Sequence, residues 1–162
     1  MNPTQIEDWR IYRRDGEQFL HTAFEAHRQK KKAFSADTLY NLTCMGIEKL
    51  IMAFLMSRGD LAENHTMIDL DRALQQHLGR DYGLSERLWF LDGFQEICDL
   101  EDYRVESPQS KDIDLILDTG AEIQKLLAPY LDNKSHLQNN LFAQTLRYAQ
   151  NFILGISIIW LW

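Results

Sequence analysis

The chain has 162 residues, of which 45% are hydrophobic and 25% charged, with a net charge of −7. This composition suits one globular domain and is long enough to bury a core. It excludes an intrinsically disordered chain and a uniformly basic nucleic-acid binder. Two cysteines, Cys44 and Cys98, are too few for a disulfide framework, and the first residues carry no apolar signal core. The expectation is a cytoplasmic protein without a membrane span.

Apolar residues recur at helical spacing almost everywhere, and no run alternates with period two. Asn2-Pro3 resembles an N-cap followed by a first-turn proline. Trp9, Tyr12, Gly16, Phe19, Leu20, Ala23 and Phe24 then line one face of a helix over about 5–31. A second helix spans about 37–58, and Gly59 offers a left-handed stop. It is apolar almost all the way round, which marks the central helix of a bundle.

Thr66 and Asp69 form a capping box for a third helix over about 66–78, closed by Gly79. Met67, Leu70 and Leu74 make its stripe. Ser85 is read as the cap of a fourth helix over about 86–103. Ser107-Pro108 opens a fifth that reaches Leu131, with Pro129 in its last turn. Ser135 and Gln138 cap a sixth segment running to Trp162. The fold class is all-α: an antiparallel up-and-down bundle with an additional C-terminal helix. The expected division is a bundle over 1–134 and an apolar helix over 135–162.

Charge is uneven. Residues 1–36 hold seven basic and five acidic residues, leaving ten against 19 in 37–162. The run Arg28-Gln29-Lys30-Lys31-Lys32 suits a solvated helix C-terminus. Asp114, Asp118 and Glu122 form an acidic column on the fifth helix. No Glu has a His three positions later, and no thiol set could hold zinc, so no metal and no cofactor are expected. Gly-rich phosphate loops and nucleophile elbows are also missing from the sequence.

The second helix contains Tyr40-Asn41-Leu42-Thr43-Cys44-Met45-Gly46-Ile47-Glu48-Lys49-Leu50-Ile51. A short loop leads to His65-Thr66-Met67-Ile68-Asp69-Leu70, and later come Leu100-Glu101-Asp102-Tyr103-Arg104 and the acidic-aliphatic helix 113–131. In order and spacing these segments resemble HEPN domains over residues 5–131. The resemblance implies a four- to five-helix core, frequent dimerisation, and contact residues at Lys49, His65, Tyr103 and Arg104.

HEPN proteins fall into two groups. Some are metal-independent ribonucleases carrying an Arg followed, a few residues on, by a His. Others are non-catalytic partners of minimal nucleotidyltransferases or nucleotide- and RNA-associated modules, often in toxin–antitoxin-like settings. Arg14 and His21, Arg58 and His65, and Arg72 and His77 have the ribonuclease spacing. The family places its motif after the Tyr of the penultimate helix, where this chain reads Tyr103-Arg104-Val105 and then has no His.

The leading expectation is therefore a non-catalytic HEPN-like binding module. Its partners would be a second copy, a nucleotidyltransferase-type protein, or RNA or nucleotide, and no membrane. One alternative is a ribonuclease, with Arg58 and His65 as the catalytic candidates. The other is a structural or regulatory helical protein with no nucleotide link.

The segment Phe152–Trp162 (FILGISIIWLW) is uncharged, yet shorter than the ~20 residues a membrane span needs. Its apolar side chains point in all directions around a helix, so one stripe cannot bury them. Two-fold pairing covers such a surface; the alternative is a helix that folds back across its own bundle. Light scattering is expected to show a full-length dimer and a monomer for a chain ending at Asn133. A full-length monomer at micromolar concentration would refute the pairing.

Overall fold

The computed structural model describes residues 9–94 and 107–132. Their regular elements are helices: α1 (Trp9–Arg28), α2 (Ala36–Met56), α3 (Met67–Leu78), α4 (Tyr82–Asp92) and α5 (Ile113–Leu131). The chain is an all-α bundle, with no strand among the described residues. It divides into two compact units, residues 1–127 and 128–162. Of the second, only 128–132 are described; 128–131 are the end of α5, with Pro129 in the last turn. The start of the first expected helix, the 134/135 boundary and the C-terminal helix lie outside the described residues.

Local chemistry sets the helix ends. Ser35, in extended backbone, accepts from the Thr38 N–H and starts α2. Beyond Met56 the Gly59 N–H bonds the Met56 carbonyl and the Asp60 N–H bonds that of Leu55. Gly59 takes φ 75° to make this closure, as its position in the sequence predicts. Thr66 caps α3 by accepting from the Asp69 N–H, and Gly79 closes it at φ 82°.

Two starts differ from expectation. Ser85 is not a cap. Asp81 accepts from the Leu84 N–H and starts α4 at Tyr82, so Ser85 lies inside the helix and is buried. The helix also stops at Asp92, with residues 93–94 in a turn; 95–103 lie outside the described residues. Ser107-Pro108 does not open α5. The Asp112 carboxylate accepts from the Gln109 N–H and holds a turn, and the Asp112 carbonyl takes the first helical bond, from Ile116.

Close backbone contact organises the core. A Cβ on Gly16 would lie 3.0 Å from the Gly46 carbonyl oxygen, so α1 and α2 nearly touch there. Leu20, fully buried, projects from α1 into the gap. A Cβ on Gly46 would meet it at 2.7 Å and one on Gly120 of α5 at 2.9 Å. α2 is buried on nearly every side. It is long and apolar enough to cross a membrane by length and composition, but 72% of that stretch is buried inside the protein. Its apolarity is that of a core helix.

Cross-helix contacts give the directions. Lys49 lies over Tyr12, while Leu20 meets Gly46, so α1 and α2 are antiparallel. His27 pairs with Asp114 and Leu20 meets Gly120, so α5 runs against α1. Arg87 pairs with Glu122, and Leu84 shares a cavity with Leu126, placing α4 against α5. The short α3 is the exception to this alternation. His65 bonds Glu48 and His77 bonds Asp60, each pair 17 residues apart in sequence. The 57–66 connection thus doubles back along α2, and α3 follows α2 in the same direction.

Replacing Gly46 with Ala forces its Cβ onto Leu20 and is expected to cost about 1–3 kcal/mol in urea unfolding. At Gly59 a Cβ meets nothing within 4 Å, so Gly59→Ala is expected to show only the left-handed backbone penalty, about 1–2 kcal/mol. A Gly46→Ala protein as stable as wild type would remove the steric argument.

Candidate functional site

Glu48 and Lys49 are adjacent on α2, so their side chains leave the helix about 100° apart. Glu48 reaches the segment before α3, where its Oε1 lies 2.7 Å from His65 Nδ1. Lys49 turns the other way, its Nζ 4.0 Å from the centre of the Tyr12 ring on α1. The structure therefore does not bring Lys49 and His65 together. Tyr103 and Arg104 lie outside the described residues.

Arg58 and His65 do not converge either. The Arg58 guanidinium folds back 3.8 Å over the Phe54 ring, with Nη1 3.4 Å from the Phe54 carbonyl. His65 is held at Glu48, six residues earlier, or about 9 Å along the axis of α2. The doubling back of 57–66 causes the separation. Arg72 and His77 sit five apart on α3 and so project from different faces; Arg72 pairs with Asp69 at 2.8 Å.

The structure instead assembles a group that sequence spacing missed. Asp60 Oδ2 lies 2.7 Å from His77 Nε2. The His77 ring stands edge-on to Phe54, centroids 5.8 Å apart. Phe54 thus carries Arg58 over its ring and stands perpendicular to the ring of His77. An ionised carboxylate only accepts, so His77 Nε2 is the donor in this bond. That hydrogen bond, then one from the Leu61 N–H, holds the Asp60 carboxyl below the usual carboxylate range.

A cleft of about 630 Å³ runs along one face of α2. Its described wall includes Asp37, Asn41, Met45 and Glu48 of α2, with Met67 and Phe94 opposite. None of its described lining residues is Lys or Arg. Cys44 also lines it; burial pushes its thiol up to about 12, so it is no nucleophile near neutral pH. Burial likewise raises Tyr40, whose hydroxyl donates to the Leu91 carbonyl at 2.8 Å.

A second polar group ties α3 to α4. Asp71, 2% exposed, accepts from Gln75 Nε2 at 2.7 Å, Trp89 Nε1 at 3.1 Å and Ser85 Oγ at 3.1 Å. Asp92 reaches back and accepts from the Ile68 N–H in the first turn of α3. The sequence did hold a signal for Asp71. It falls four after Met67 and three before Leu74, an acid within an apolar stripe.

The charged features of the sequence find ordinary partners. Arg28 and Gln29 bond Glu25 and hold its carboxyl down to about 2. The acidic column is divided: Asp114 pairs with His27 at 3.1 Å and Glu122 with Arg87 at 2.5 Å. Among the described residues no three ligand-type side chains gather around one point.

The Asp60–His77 bond has a signed pH dependence. A carboxyl depressed on folding stabilises above its unfolded value, near pH 4, and loses that effect as pH falls through the lower folded value. Asp60→Asn is therefore expected to lower stability at about pH 6, with the gap to wild type closing below about pH 4. Denaturant midpoints across this range check it, and a gap independent of pH would contradict it.

No family model, curated protein or solved structure matches this chain.

Proposed function

We propose that this chain is a non-catalytic, HEPN-like helical binding module, acting in the cytoplasm as a homodimer. Its partner is a protein, of the minimal nucleotidyltransferase type that the resemblance implies. The observation that carries this reading is the separation of Arg58 from His65, each held by a different turn of α2. The cleft along α2 adds to it. Its described wall offers two carboxylates beside Met45, Met67 and Phe94. That chemistry suits an apolar or basic segment of a protein and repels a polyanion. RNA or nucleotide association then comes through the partner.

One specific observation favours a second reading, a metal-independent ribonuclease. His77, oriented by Asp60, and Arg58 share the Phe54 ring. An oriented imidazole can move a proton near neutral pH, and a guanidinium can hold a phosphate oxygen.

Fluorescently labelled single-stranded RNA distinguishes the two. Wild type, Arg58→Ala, His65→Ala and His77→Ala are expected to leave it equally intact in the presence of chelator. Cleavage by wild type that is lost in Arg58→Ala and His77→Ala would overturn the binding-module reading.

A further inference from the structure

A buried carboxylate fixes a side chain on the surface. Trp89 is 48% exposed, yet its indole N–H donates to Asp71, which is 2% exposed. Seven residues earlier Tyr82 is 69% exposed, and the Arg80 guanidinium lies 4.7 Å from the centre of its ring. Seven residues make nearly two helical turns, so both aromatics stand on one face of α4. Leu84, Leu88 and Leu91 fill the opposite, buried face. A surface helix ordinarily keeps its apolar side chains on the buried stripe, whereas α4 carries them on both sides.

The outer face has the composition of a contact surface. Trp, Tyr and Arg dominate the binding energy where proteins meet, and side chains held in place beforehand lose less entropy on binding. Glu86 lies between the two aromatics, exposed and with no partner among the described residues. That carboxylate decides among occupants. A second α4 laid antiparallel on the first would set Tyr82 against Trp89, but it would bring two Glu86 side chains together near the two-fold axis, where like charges repel. An uncharged occupant escapes that cost. Residues 152–162 supply one: they number 11, as α4 does, carry no charge and include Phe152, Trp160 and Trp162. Shortly before them Arg147, opposite in sign to Glu86, is the single Lys, Arg, Asp or Glu of residues 135–162.

We propose that residues 152–162 of one copy dock on the Tyr82–Trp89 face of α4 in a second copy, and reciprocally, with Arg147 answering Glu86. The inference rests on the homodimer of the preceding reading and names the surface that holds it. Exchange between copies follows from coverage. One face of α4 covers one side of an apolar segment, and in a closed two-fold pair the remaining side lies against the second segment instead of water. The 19 residues 133–151 separate α5 from the segment. Extended, a connection of that length spans about 60 Å, ample to reach a second copy.

Sedimentation equilibrium on the full chain tests this through the dimer dissociation constant. Tyr82→Ala and Glu86→Lys each alter an exposed side chain and are expected to weaken the dimer about tenfold. Adding Arg147→Glu to Glu86→Lys is expected to restore it, which a folding defect cannot do. Photo-reactive p-benzoylphenylalanine in place of Tyr82, in a mixture of light and isotope-labelled full chains, is expected to cross-link a light copy to residues 152–162 of a heavy one. A dimer that tolerates both single variants, or cross-links to 152–162 that join only chains of one isotope, would overturn the docking and leave the homodimer standing. A monomeric wild type would overturn both.

Discussion

The structure depends on one side chain between three backbones. Leu20 of α1 fills the space left by the missing Cβ atoms of Gly46 and Gly120. Only glycine permits that spacing, because any larger residue would overlap Leu20 or push the helices apart. With α1, α2 and α5 locked at this point, α2 has little surface left over, and its apolar circumference follows. Polar chemistry is displaced outward, to the α3–α4 hairpin and to the connection between α2 and α3.

That displacement explains the way the chain uses histidine. His27 ties α1 to α5, His65 ties the segment before α3 to α2, and His77 ties the end of α3 to the loop after α2. Each bridges separate parts of the chain through a carboxylate. Imidazole is suited to this, because one ring nitrogen donates when the ring is neutral and both donate when it is charged. A histidine within a few residues of an arginine is thus weak evidence for a reaction centre here. Arg58 and Arg72 turn to their own local partners instead.

Much of the architecture was legible in the sequence, for reasons that can be named. The uniform apolarity of α2 could only mean a central helix. Thr66 with Asp69, and the glycines at 59 and 79, are local signals that act through their own backbone. Ser85 and Ser107-Pro108 misled because a cap is a competition: Asp81 and Asp112 lie nearby and bind the backbone first. The site was harder to read. Spacing along the chain carries no information on which way the 57–66 connection travels, and that direction decides that Arg58 and His77 share the Phe54 ring while His65 lies elsewhere. Asp71 was within reach, as the one acid on the apolar stripe of α3.

The parallel course of α2 and α3 has an electrostatic consequence. Helices laid side by side in the same sense add their macrodipoles instead of cancelling them. Each C-terminus carries about half a negative charge, so the carbonyls ending α2 at Met56 and α3 at Leu78 present roughly one negative charge, which the α4 N-terminus at Tyr82 offsets in part. Arg58, against the Phe54 carbonyl, and His77, in the last turn of α3, stand where that potential is deepest. The Arg58 guanidinium and the donor nitrogen of His77 thus offset part of the field of the protein's own peptide groups.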